Sequence, residues 1–125
     1  MNSSIVIALP KIDDAKKIRT ILNRHGFSVA AVCSTASTAL ASMSELDGGI
    51  LICGYKLTDR YYRDVLEDIP SYFEMLLLAS GRVIAEAPTS VLTVEMPMKV
   101  SDLVNTVDMM LSEIVRRLKN EKTKP

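Results

Sequence analysis

The chain has 125 residues, enough for one compact domain and too few for two. Hydrophobic residues make up 48% and charged residues 24%, a balance that supports a buried core and argues against disorder. Fifteen basic and fifteen acidic side chains cancel to a net charge of zero, which removes the overall basic footprint of a nucleic-acid-binding protein.

The elements follow in chain order. Ile5-Val6-Ile7-Ala8-Leu9 is a continuous apolar run, as in a buried parallel strand, and is far too short for a signal core or a membrane span. Together with only two cysteines, Cys33 and Cys53, this predicts a cytoplasmic protein with reduced thiols and no membrane contact. Asp13 and Asp14 open the first helix, with Asp13 as its cap. Ala15, Ile18, Ile21 and Leu22 form its apolar face, and Gly26 after His25 stops it. Residues 27–33 make the second strand. Ser34 or Thr35 caps a second helix, with Leu40, Met43 and Leu46 inward and Asp47-Gly48-Gly49 at its end.

Residues 50–53 make the third strand, and a short third helix lies within residues 61–68. Residues 73–79 and 91–94 read as the fourth and fifth strands. Between them residues 81–90 contain Pro88 and leave room for a helix of one or two turns. From Lys99 to about Lys119 the pattern is strongly helical, and residues 120–125 form a frayed basic tail or the start of a linker. The domain therefore spans residues 1–119. Strands alternating with helices imply an α/β fold: a five-stranded, doubly wound parallel sheet with a shortened fourth helix and a long last helix. Ligands in such sheets bind beyond the carboxyl ends of the strands.

The spacing of these elements resembles the receiver domains of two-component response regulators over roughly residues 4–118. Leu51-Ile52-Cys53-Gly54-Tyr55-Lys56-Leu57-Thr58-Asp59 is similar to the segment that carries the phosphoaccepting aspartate, and Val94-Glu95-Met96-Pro97-Met98 to the end of the fifth strand. The resemblance implies the flavodoxin-like strand order 2-1-3-4-5. It also implies a pocket with a nucleophilic aspartate, an acidic pair for Mg²⁺, a hydroxyl and a lysine. At those positions this chain has Gly54 for the nucleophile, Leu9 and Pro10 for the acidic pair, Ser80 for the hydroxyl and Met96 for the lysine. Only the hydroxyl survives. A hard cation needs oxygen ligands, so no metal, no cofactor and no catalysis are expected. Losing the lysine along with the carboxylates avoids an unpaired charge in a partly buried cleft. Asp59, five residues beyond the nucleophile position, reads as a solvated loop acid, and Cys53 and Cys33 as buried small hydrophobes.

The last helix carries Leu103, Val107, Met110, Ile114 and Leu118 at spacings of four, three, four and four, with Leu111 and Val115 widening the stripe. Part of this stripe must pack on the sheet, which accounts for most of it; the seven residues are also the candidate homodimer surface. Within receivers the chain most resembles the N-terminal domains of ANTAR-type regulators, through Ile5-Val6-Ile7-Ala8-Leu9-Pro10-Lys11, Ile52-Cys53-Gly54-Tyr55, Glu74-Met75-Leu76-Leu77-Leu78-Ala79-Ser80 and Met96-Pro97-Met98-Lys99-Val100. Those regulators are transcription antiterminators whose separate helical domain binds nascent RNA. The resemblance implies a non-phosphorylatable regulatory domain that acts through dimerisation or a protein partner. RNA would be bound only through a domain outside these residues. Two alternatives stand beside it: a small-ligand sensor using an apolar cleft at Leu9, Gly54, Ser80 and Met96, and a stand-alone protein-interaction module.

Overall fold

The computed structural model describes residues 3–123. Five parallel strands, β1 (Ser4–Ala8), β2 (Val29–Cys33), β3 (Gly49–Gly54), β4 (Phe73–Ala79) and β5 (Leu92–Glu95), form one sheet in the order β2-β1-β3-β4-β5. The helices are α1 (Ile12–Arg24), α2 (Ala36–Ser44), α3 (Tyr62–Asp68), α4 (Gly81–Ala85) and α5 (Val100–Thr123). The strand order and the doubly wound layering are as the sequence implied.

The central strands are apolar throughout because both faces of the sheet are covered. Ile5, Ile7, Ile50, Ile52, Leu76 and Leu78 point to one side, where Ala15, Ile18 and Leu22 of α1 and Leu103, Val107, Met110 and Ile114 of α5 pack. Val6, Leu51, Met75 and Leu77 point to the other, under Ala36, Ala39 and Met43 of α2 and Tyr62 and Val65 of α3. All the side chains that make these two cores are at most 9% exposed. β4 matches its predicted bounds because Pro70 and the Ser80-Gly81 pair delimit it in the sequence.

The backbone requires glycine at Gly26, Gly48 and Gly49. Gly26 has φ +87° and ends α1, where its N–H donates to Asn23 O and the Phe27 N–H to Leu22 O. His25 sits at this end with Nδ1 2.9 Å from Ile21 O, which suits the negative pole of the helix. Gly49 has φ +147°, and a Cβ there would overlap the Ser4 backbone where β1 runs alongside β3.

Local details depart from the sequence reading. The N-cap of α1 is Lys11, not Asp13, and no side chain bonds to that cap; Asp13 and Asp14 lie exposed in the first turn, where they face the positive pole. In α2 the apolar face is made by Ala36, Ala39 and Met43, with Leu40 and Leu46 only partly buried. Thr35 is its cap and accepts the Thr38 N–H at 3.1 Å. Helix α5 continues to Thr123, past the predicted end at Lys119; Lys124 and Pro125, the rest of the predicted tail, lie outside the described residues. Among the described residues no helix is long and apolar enough to cross a membrane.

Candidate functional site

The carboxyl edge of the sheet gathers the five residues singled out from the sequence. Ala8 pairs with Cys53, so Leu9 and Gly54 are neighbours across the next step. Gly54 pairs with Leu78, Ala79 with Glu95, and the Met96 N–H donates to Ala79 O at 2.8 Å. Ser80 and Met96 therefore leave the sheet side by side. Pro10, Ser80 and Met96 are exposed, Met96 at 43%, whereas Leu9 and Gly54 are buried.

Leu9 decides what this edge can do. A Cβ on Gly54 would lie 3.1 Å from Leu9 Cδ2 and 3.5 Å from Pro10 Cδ. The hydrocarbon of the two residues that replace the acidic pair thus covers the place where a nucleophile's side chain would begin. The residues do not fit Mg²⁺, because the three positions that would supply oxygen ligands offer hydrocarbon or hydrogen instead. Among the described residues no group of three His, Cys, Asp or Glu is placed to hold a metal. Glu95, at the end of β5, places its carboxylate in the space beside Gly81 that a side chain there would need.

Asp59 is not a free loop acid. Its Oδ1 accepts the Ala36 N–H at 2.6 Å and its Oδ2 the Ser37 N–H at 3.1 Å, so it closes the first turn of α2 from 23 residues away. Thr58 Oγ1 donates to Ser34 O at 3.1 Å, which stitches the same two loops together. The hydrogen bond from Ala36 holds the Asp59 carboxyl below its ordinary value of 3.8. A depressed folded pKa means stability present above the unfolded value and lost as pH falls through the folded one. Asp59→Ala is expected to cost about 1 kcal/mol at neutral pH, as loss of a helix-capping oxygen does. Urea titrations should show that difference full above pH ~4 and fading below it. A difference that persists unchanged at pH ~2 would show that capping is not its source.

Cys53 is buried, and burial pushes its thiol up to about 12. Cys33 is also buried. Both pair with Ala8 from opposite sides, placing them two strand spacings apart, about 9–10 Å. That exceeds the ~7 Å Cα reach of a disulfide. Native protein is expected to leave both thiols unmodified by an aromatic disulfide reagent, and urea-unfolded protein to titrate two per chain. Rapid labelling of one thiol in the native state would overturn this.

The predicted dimer stripe on α5 needs correction. Leu103, Val107, Met110 and Ile114 are buried in the domain's own core, so they have no surface to offer a partner. Leu111 packs at the margin of that core, Val115 is 44% exposed, and the Leu118 side chain lies outside the described residues. At about 100° per residue, Val100, Val104, Leu111 and Val115 share one flank beside the buried stripe. Val100 is 42% exposed and Val104 half-buried. Leu111 and Val115 also line a shallow groove with Arg116 and Lys119.

A scan against protein-family models and a search of curated proteins gave no match. Solved structures do match. A signal receiver domain of an HD-domain-containing protein from Pseudomonas fluorescens Pf-5 superposes with TM-score 0.79 at 14% identity, over 94% of this chain and 92% of that one. A structure described as an adenylate cyclase from Rhodopirellula baltica gives TM-score 0.85 at 15% identity, over 98% and 96%. A structure of redox sensors in the streptococci, described as evolved from two-component response regulators, gives 0.77 at 15%, over 99% of this chain and 56% of that one. The fold is that of receiver domains.

Proposed function

We propose that this domain is a regulatory, non-enzymatic receiver-like module that does not take a phosphoryl group and works through protein contacts. The observation that carries the reading is position 54. The residue that would carry the nucleophile has no side chain, and Leu9 packs over it. No single substitution elsewhere restores the missing parts, because Leu9, Pro10 and Met96 replace three more of them.

Redox sensing, the activity that the description of the streptococcal neighbour carries, has less to support it here. Both thiols are buried, and the Cys53 thiol stays protonated at neutral pH. We place a homodimer contact on the flank of α5 that carries the exposed Val100 and Val115. Its context on this reading is control of transcription antitermination, with dimer geometry imposed on an RNA-binding domain outside these residues. The support for that context is the likeness of the strand ends and of the long, basic-ended last helix to ANTAR-type regulators.

Acetyl phosphate with Mg²⁺ is expected to leave the intact mass unchanged. An adduct of one phosphate that disappears in Asp59→Asn would overturn the reading by moving the acceptor five residues along the loop.

A further inference from the structure

A second site, lined by none of the five degenerate pocket residues, lies between the loop that leads into α3 and helix α4. The loop folds back on itself: Leu57 N–H donates to Arg60 O at 2.7 Å, Lys56 bridges Tyr61, and Tyr62 N–H donates to Tyr55 O at 2.9 Å. This hairpin sets the Tyr55 and Tyr61 rings edge to face, 5.3 Å apart, at one rim of a groove of about 440 Å³. Both rings are more than 40% exposed, so their surfaces are open to a ligand in the groove. Tyr62, almost fully buried, supplies the floor together with Val83.

The groove is also positively charged. Arg63 lies 5.8 Å from the centroid of the Tyr62 ring, and its Nη2 donates to Glu86 O at 2.7 Å on the far wall. That acceptor is a neutral carbonyl, so the guanidinium charge is not compensated by it. Arg82 of α4 lines the same groove, is exposed, and makes no ion pair among the described residues. Two arginines and one glutamate, Glu86, line the groove. The volume falls in the range of roughly 300–1,000 Å³ typical of small-molecule sites. A peptide would use a free strand edge or an apolar helix groove; here the walls are a loop, the first turn of α3 and one face of the five-residue α4 with its C-cap Glu86.

We propose that this groove binds a small planar organic anion, one aromatic ring bearing a carboxylate or phosphate, with the ring against Tyr55 and Tyr61 and the acidic group on Arg82 and Arg63. The site is independent of phosphoryl transfer, and it makes the loop next to position 54 responsive to a ligand.

Titration of the full chain, followed by ¹⁵N–¹H NMR, tests this. Benzoate and phenyl phosphate are the anionic aromatic probes. Benzyl alcohol has the ring without the charge, and inorganic phosphate the charge without the ring. One or both aromatic anions should give saturable shifts confined to residues 55–63 and 81–87, at least ~10-fold tighter than either control. Arg82→Gln should weaken that binding about tenfold, and Tyr55→Ala similarly, with unchanged spectra elsewhere. Both side chains are exposed, so neither change threatens the fold. Absence of saturation, equal binding of either control, or indifference to Arg82→Gln would overturn the proposal. So would the same residues shifting with protein concentration alone, or with an acidic peptide but with neither aromatic anion, since either result assigns the groove to another occupant.

Discussion

Gly54→Asp, the substitution that restores the receiver nucleophile, is expected to destabilise the domain by about 3 kcal/mol and to confer no phosphorylation. The new Cβ would meet Leu9 Cδ2 at 3.1 Å, so Leu9 must give way or the aspartate must distort. The carboxylate would enter a buried position beside the hydrocarbon of Leu9 and Pro10, with Met96 where a balancing lysine would stand. Desolvation raises the pKa of such a group, so the cost is largest at neutral pH and fades as pH falls and the folded state takes up a proton. Gly54→Asn matches the bulk without the charge and should cost less, with no dependence on pH between 5 and 7. Urea midpoints of the three proteins at pH 5 and 7 decide the point. Parent-like stability of Gly54→Asp at pH 7, or its phosphorylation by acetyl phosphate, would show that Leu9 does not block the position.

The same geometry says what a working pocket would need. Leu9→Asp together with Pro10→Asp removes the hydrocarbon that lies against position 54 and supplies the oxygen ligands that a hard cation demands. Combined with Gly54→Asp, these changes should recover part of the lost stability when Mg²⁺ is added, because metal binding to the folded state is linked to folding. The losses at Leu9, Pro10, Gly54 and Met96 are thus one coupled set: any single reversion meets the other three.

The sheet was legible because its signal is local. Runs such as Ile50-Leu51-Ile52-Cys53 and Leu76-Leu77-Leu78 are continuous, short and bounded by glycine or polar turns, so each strand announces itself. The position of Gly54 at the carboxyl edge followed from the end of its strand. Capping was only half legible. Thr35 is adjacent to the helix it caps, whereas Asp59 caps α2 across 23 residues, a pairing that exists only once β3 lies beside β1 and β1 beside β2. The tyrosine and arginine groove was invisible for the same reason, since Arg63 and Arg82 meet only after β4 has crossed back. The stripe on α5 shows the limit of periodicity. Spacing identifies Leu103, Val107, Met110 and Ile114 as one apolar face, but it does not say whether the sheet or a second chain covers that face.

The remaining apolar surface on α5 leads to the second large effect. Val100, Val104, Leu111 and Val115 flank the buried stripe over four turns, with Arg116 and Lys119 beside them. Val100 and Val115 are exposed while Val104 and Leu111 are partly covered by the domain's own core, and an isologous contact between two copies would bury what remains against its own equivalent. The contact is small against the ~800 Å² per partner of a standard interface, so the dimer should appear at high micromolar concentration and be in rapid exchange. Val115→Lys combined with Leu111→Lys is expected to raise the dissociation constant about 100-fold, because two charges per chain would be desolvated in an apolar contact. Val115 is 44% exposed and Leu111 lies at the core margin, so monomer stability should fall by no more than about 1 kcal/mol. Met109→Lys is the control: Met109 is 53% exposed but sits about 120° from Val115 and farther still from Leu111, on the other side of the helix. Sedimentation equilibrium across a concentration series separates the outcomes. A parent chain that stays monomeric throughout, or a Met109→Lys variant as impaired as the double variant, would remove this flank as the interface.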